Sequence, residues 1–390
     1  MREWIIRFLK HHALFVSWLW LFARHLLRIW GWFVPIRQKT MLFCSFGGRN
    51  FDDSPKAIYN EVCQRKEFEG WELIWAFVNP DEFEIPRGKK IKIDTVAFFH
   101  ALLYSKVRVS NSGMNRGISL RRKGTVRVET WHGTPLKKIC GEENQTGFSN
   151  HRKKRREKDS ETIRCAQSAY DQEIFERIFH AEKSAILLCD LPRNDALCQF
   201  VADEKNRIKD GLGIAREKKV ILYAPTYREY ATDITKNTPP IDVNKWESML
   251  GNSYVLLIRA HYVVAKAMSI KESSFVKNVS EYPSLNDLYA ISDLLISDYS
   301  SVYFDYSILD RPILCFAYDR KEYEEKRGLY LNLDKVLPCP VDYDEDALLN
   351  HIKNMNYDEA CARTKAFHEC YAPHAGNASK KVVDEILRKL

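Results

Sequence analysis

Four short stretches of this 390-residue chain hold residue types able to move a proton beside a bound anion. The sharpest is Trp131-His132-Gly133-Thr134-Pro135-Leu136-Lys137-Lys138. Its histidine offers a base that titrates near neutrality, Gly133 permits close backbone approach, and Lys137 and Lys138 add positive charge beside it. In Ser297-Asp298-Tyr299-Ser300-Ser301-Val302, a helical pattern follows through Phe304 and Ile308. Ser300 and Ser301 therefore fall where helix N–H groups and hydroxyls converge on a phosphate. Arg259-Ala260-His261 brings a cation and a second acid or phosphate donor, and Tyr223-Ala224-Pro225-Thr226-Tyr227-Arg228 brings Arg228 within reach of the same region. The chemistry suggested is acid–base work on a phosphorylated substrate. Each stretch alone also fits a plainer role: a strand-end histidine closing a turn, a serine N-cap, a surface arginine.

What unites the four is that each follows a short apolar run. Residues 41–46, 72–78, 106–110, 126–131 and 185–189 read as strands of one parallel sheet, and 219–224, 254–260, 275–279, 293–297 and 312–316 as strands of a second. Continuous buried runs separated by helical lengths predict an α/β class with helices on both sheet faces. Two such units in tandem make a cleft, and ligands of open α/β sheets bind beyond the carboxyl ends of the strands. Neither a GxGxxG fingerprint nor a Walker A loop is present, and Gly47-Gly48 reads as a tight turn. The joint between units is expected between Asp190 and Gly213.

Composition narrows the function classes. Hydrophobic residues at 45% and charged residues at 29% exclude a disordered or fibrous chain. The net charge of +8 is local: residues 1–40 hold seven Lys and Arg against Glu3 alone, and residues 151–158 hold six against Glu157. The rest is net acidic, which argues against a nucleic-acid partner and for two anion-seeking patches. Ten cysteines at irregular spacings, with no CxxC pair, read as reduced core thiols of a cytoplasmic protein. No carboxylate cluster suggests a metal; Asp298 and Asp305 come nearest.

The aromatic residues concentrate at the start. The uncharged stretch 13–23 is too short to span a bilayer before Arg24, His25 and Arg28 interrupt it, and no small-residue cleavage site follows. On a helical wheel Arg2, Arg7, Lys10, Arg24 and Arg28 fall opposite Phe8, Phe15, Leu19, Phe22, Leu26 and Ile29. The pattern predicts an amphipathic helix lying in the plane of an anionic membrane surface, with the 151–158 run as a second lipid contact or a track for a polyanionic acceptor.

From about residue 41 onward the chain resembles the CDP-glycerol glycerophosphotransferase family, the teichoic-acid primases and polymerases. The resemblance rests on Ser45-Phe46-Gly47 with Asp53 to Tyr59, the block around His132, Pro192-Arg193-Asn194-Asp195, the stretch ending at Arg228, Arg259 with His261, Ser297 to Tyr306, Arg311-Pro312-Ile313, and Tyr323 with Arg327-Gly328. It implies a GT-B-like pair of Rossmann-type domains facing a cleft, on the cytoplasmic membrane face. The expected division is a membrane-associating helix at 1–35, an acceptor-side domain at 36–200, and a CDP-donor-binding domain at 201–390 whose last helix crosses back. By position, His132 is implied as catalytic base with His261 as its catalytic partner. Arg228, Arg259, Asp298, Ser300, Ser301 and Arg327 are implied on the donor, and Gly133, Thr134 and Lys137 on the acceptor-side phosphate. The implied reaction is attack by a hydroxyl of a lipid-linked or polymeric glycan on the β-phosphorus of CDP-glycerol, releasing CMP, with no cofactor. Alternatives within the class are CDP-ribitol or another CDP-polyol as donor, or a GT-B glycosyltransferase. Outside it stands a membrane-bound protein that only binds anionic polymer.

Overall fold

A computed structural model describes residues 13–114, 122–144, 161–231, 238–261, 264–265, 268 and 270–390. The basic run 151–158 and the first turns of the N-terminal helical pattern lie outside them. The first sheet comprises β1 Arg37–Cys44, β2 Glu72–Phe77, β3 Lys89–Lys92, β4 Ser105–Ser110, β5 Val126–Glu129, β6 Thr162–Ala166 and β7 Ile186–Leu188. The second comprises β8 Lys219–Tyr223, β9 Tyr254–Ile258, β10 Val276–Asn278, β11 Leu294–Ser297, β12 Ile313–Phe316 and β13 Val341–Asp342. Every strand pair is parallel, with Met41 opposite Leu73 and Val107 in the first sheet and Leu222 opposite Leu257 in the second. The α/β expectation holds, and three strands are added to it. β3 is a lysine-rich edge strand, β13 has only two residues, and β6 (TIRCA) mixes polar and apolar positions.

The strand order is β3-β2-β1-β4-β5-β6-β7 in one sheet and β10-β9-β8-β11-β12-β13 in the other. In each, the chain winds outward in one direction and then returns to wind in the other. The reversals fall between β1 and β4 and between β8 and β11, where the loops leaving neighbouring strands diverge and open a crevice.

Period-two alternation divides the first sheet's apolar side chains between its faces. Met41 and Phe43 pack with Leu73, Trp75, Val107 and Val109 on one side, while Leu42 and Cys44 pack with Ile74, Ala76 and Phe98 on the other. Five helices frame the site or close the first core: α1 Ala13–Phe33, α2 Asp53–Gln64, α3 Leu285–Ile291, α4 Val302–Ser307 and α5 Ala378–Lys389. Pro55 in the first turn of α2 favours a start there, because the missing N–H belongs to a group that has no intrahelical partner anyway. α5 lies on the first sheet, with Val382, Val383 and Ile386 in the same core as Met41 and Ile58. Its own N-cap residue, Asn377, makes no capping bond; Asp195 supplies it from afar, accepting from the Ala378 and Ser379 N–H groups at 2.7 Å each.

The end of α1 docks through Leu27 and Trp30, the latter stacked on His100 at 5.6 Å. Phe22, Leu26, Ile29, Trp32 and Phe33 are exposed. Among the described residues no helix is long and apolar enough to cross a membrane. All ten cysteines are free, but core placement holds for only half: Cys44, Cys165, Cys189, Cys315 and Cys339 are buried, whereas Cys140, Cys198 and Cys370 are exposed. Those three flank surface turns and helix ends, where apolar neighbours in sequence do not enforce burial.

Candidate functional site

His132 follows β5 by three residues, after Trp131 adopts a positive φ of 59° that turns the chain off the sheet edge. Its Nδ1 lies 3.0 Å from the carbonyl oxygen of Asn111, at the end of β4. A carbonyl only accepts, so in the neutral ring Nδ1 carries the hydrogen and Nε2 presents its lone pair. Asn111 is itself fixed, its Oδ1 accepting from the Phe46 N–H at 2.8 Å and its Nδ2 donating to Ser45 Oγ at 3.3 Å. The loops after β1, β4 and β5 thus lock one ring at the first sheet's reversal point. Trp131 stacks on that ring at 4.2 Å. Burial pushes the His132 pKa below the ordinary histidine value; Arg193 and Lys137 push the same way, against the Asn111 bond and Asp53. A neutral base near pH 7 results.

Gly133 has φ of 145°, and a Cβ placed on it would sit 2.4 Å from Ser301 Oγ. Only glycine allows the His132 loop to meet the Ser300–Ser301 turn this closely. Thr134 is buried, its hydroxyl 2.7 Å from Gln167 Oε1 and 3.1 Å from Asp171 Oδ2, so it anchors the loop from beneath. Beyond it the chain makes a second crossing between the halves: Lys137 bridges antiparallel to Leu329, Lys138 N–H donates to the Gly328 carbonyl at 3.1 Å, and Tyr330 N–H donates to that of Leu136 at 2.9 Å.

The second sheet's reversal point is organised by Asp298. Its Oδ1 accepts from the Thr226 N–H at 2.9 Å and the Tyr299 N–H at 2.7 Å, tying the loop after β8 to the loop after β11. Its Oδ2 receives Arg228 Nη1 at 2.6 Å, and Arg228 Nε and Nη2 each reach Asp319 at 2.8 Å. Arg228 and Asp298 are each 1% exposed, with Tyr299, Tyr318 and Tyr323 around the guanidinium. Arg228 and Asp298 therefore shape the second sheet's side of the cleft from within the protein. Ser300 and Ser301 lie at the start of α4, as their spacing predicts.

A cavity of about 460 Å³ opens beside this turn, lined by Lys137, Thr226, Tyr227, Arg259, His261 and Ser300 among others. Burial lowers the pKa of both Lys137 and Arg259. Arg259 Nη1 donates to the carbonyls of Val279 at 3.2 Å and Tyr282 at 2.6 Å, and Asp52, from the first half, is near enough to stabilise its charge. His261 stacks on Tyr227 at 4.5 Å. Arg327 pairs with Glu143 at 3.2 Å and, like His132, lies outside the cavity lining. The fold thus brings Lys137, Arg259, His261 and Ser300 around one space and sets the loop bearing His132 against the Ser300–Ser301 turn beside it. Such a set can hold a diphosphate while a neutral imidazole takes a proton. Thr226 and Tyr227 join the lining, a place foreshadowed only by their position at a strand end. Among the described residues no group of three His, Cys, Asp or Glu is placed to hold a metal.

Between the two reversal points sits Arg193, on the 3-10 helix Pro192–Cys198. It pairs with Asp53 and with Asp305 at 2.6 Å each. Nothing in the local spacing marks this role, since the partners lie 140 and 112 residues away.

Comparison with known proteins gives one consistent answer. Residues 27–388 match the family described as CDP-Glycerol:Poly(glycerophosphate) glycerophosphotransferase. The teichoic acid poly(glycerol phosphate) polymerase of Bacillus spizizenii is 33% identical over 370 residues, covering 91% of this chain and 93% of that protein. The polymerase of the same name from Staphylococcus epidermidis is 32% identical over 91% of this chain, and here the chain spans only 51% of the relative's length. The solved structure of the wall teichoic acid polymerase TagF superposes with a TM-score of 0.83 at 30% identity, covering 100% of this chain and 98% of that one.

Proposed function

The chain belongs to the CDP-glycerol:poly(glycerophosphate) glycerophosphotransferase family, and on that footing we propose that it transfers glycerol phosphate from CDP-glycerol to a hydroxyl of a lipid-linked or polymeric glycan. The observation that carries the reading is the contact of the His132 loop with the Ser300–Ser301 turn, at the rim of a cavity lined by Lys137, Arg259 and His261. The acceptor hydroxyl gives its proton to His132 Nε2 as its oxygen attacks the β-phosphorus. The bond from that phosphorus to the bridging oxygen breaks, CMP departs, and a phosphodiester forms. Charge building on the phosphoryl oxygens and on CMP meets Arg259, Lys137, His261 and the two serines, which need no rearrangement to receive it. Arg327, Arg228 and Asp298 support the donor side from behind, while Gly133 and Thr134 set the acceptor-side loop.

In this reading the two sheets form a GT-B-like pair, acceptor-side over residues 36–200 and donor-binding over 201–390, with α5 crossing back onto the first sheet. Residues 1–35 lie along an anionic membrane at its cytoplasmic face, with Trp32 and Phe33, 80% and 78% exposed, entering the headgroup layer. The exposed rings support this; Trp32→Ser with Phe33→Ser should weaken sedimentation with phosphatidylglycerol vesicles by roughly tenfold or more.

The deciding assay is CMP release and phosphorus-31 detection of a new diester, with the full chain, CDP-glycerol and a membrane extract as acceptor. CMP release lost in His132→Ala supports the reading. Release from CDP-ribitol alone would change the donor, and no release from any CDP-polyol would defeat it.

A further inference from the structure

Arg193 ties together parts of the site's framework that lie far apart in the chain. Its Nη1 is 2.6 Å from Asp53 Oδ2, at the start of α2, and 3.2 Å from the backbone carbonyl of His132. Its Nη2 is 2.6 Å from Asp305 Oδ2, in α4, one helical turn after Ser301. Its own carbonyl accepts from Asn286 Nδ2 at 2.6 Å, on α3. The neighbouring Asn194 holds the other oxygen of Asp305 at 2.9 Å. One guanidinium thereby binds a first-sheet helix, the loop bearing His132 and the helix that begins at Ser301.

We propose that Arg193 is a positioning residue of the transfer reaction, a clasp that sets the separation between His132 and the Ser300–Ser301 turn. The inference rests on the phosphotransfer function proposed for the chain. A buried ion triad of this kind adds little net stability, because desolvation offsets much of the attraction. What it does supply is geometry: a planar fork with two arms at a fixed angle ties two carboxylates and a carbonyl, and a single ammonium cannot reach all three. In-line transfer is sensitive to such spacing, a misplacement of about 1 Å costing roughly 10²-fold.

The charged groups acting on His132 make the clasp measurable without turnover. Arg193 and Lys137 favour the neutral ring, and Asp53 favours the charged one. In the full chain free of substrate, the His132 ring is followed by NMR and assigned by its loss in His132→Ala. Its titration should move to higher pH in Arg193→Met and to lower pH in Asp53→Asn. In the CMP assay Arg193→Lys should lose about 10²-fold in kcat while KM for CDP-glycerol changes by less than about threefold. A kcat within twofold of the parent's in Arg193→Lys, or a His132 titration that neither variant moves, overturns the clasp. If Arg193→Met does not fold, Asp53→Asn and Arg193→Lys carry the same decision. Silence of the parent protein toward CDP-glycerol would sink the phosphotransfer reading instead, leaving the titration to judge Arg193.

Discussion

On the first sheet's side of the cleft, His132 is held: one ring nitrogen is committed to Asn111 and an indole covers the ring. On the second sheet's side, cations line an open space, and the carboxylate of Asp298 lies buried behind it with Arg228, which also pairs with the half-buried Asp319. In the proposed reaction the contrast follows from what each side must do. A base has to be held in one tautomer and kept neutral, which burial and fixed bonds achieve. A dianionic donor has to enter, be held and leave as CMP, which calls for room and for charges already in place.

Removing the enclosed partner should give the largest loss. His132→Ala should lower CMP release by about 10³-fold. In the parent protein the acid limb of kcat/KM should fall below the ordinary histidine value near 6.5, because the base is active only when neutral and burial lowers its pKa. On the open side Arg259→Ala should cost roughly 10²-fold in kcat/KM, as loss of one fixed donor does. If it instead matches His132→Ala, the division of labour between the sides is wrong.

The seam between them is tested by Gly133→Ala, whose new Cβ would lie 2.4 Å from Ser301 Oγ. A loss of roughly tenfold or more is expected, and a smaller further loss when the change is made in Ser301→Gly, since the obstructing atoms are gone. Equal losses in both backgrounds would show that backbone strain, not the seam, is responsible.

The smallest effect concerns the buried carboxyls that bond to Thr134 and Gln167. Burial lifts Asp171 and Asp190 to about 7 each. Between the unfolded value near 4 and 7, the folded chain keeps protons that the unfolded chain has lost, so these groups withdraw stability as pH rises and no more above 7. Asp171→Asn should therefore gain on the parent by about 1 kcal/mol between pH 6 and pH 8 in urea unfolding. No change in the difference would mean that Asp171 is already ionised at pH 6.

How much of this could be read beforehand depended on range. Runs such as 219–224 and 254–260 declare themselves because a strand covered on both faces is apolar throughout, whereas β3 is a lysine-rich edge and reads as surface. The placement of His132 and the serine pair beyond strand ends was legible because the apolar runs before them end there. Arg228 shared that signal yet is buried at 1% exposure, since an arginine beside a strand looks the same whether it meets a substrate or two distant aspartates. Arg193, Asp53 and Asp305 stand in blocks that carry the family resemblance, but nothing local pairs them, because the partners lie more than 100 positions away.

The placement of α5 bears on the order in which the molecule is made. Val382, Val383 and Ile386 complete a core whose other walls are laid down by Met41, Ile58 and Leu73. As the chain leaves the ribosome, the half translated first must wait with that apolar surface uncovered until almost everything else has been synthesised. Asp195 then seats the late helix by its first turn. A chain interrupted before residue 378 would therefore fail in its N-terminal half, far from the missing piece, and would be left to chaperones with the wall of its first sheet exposed.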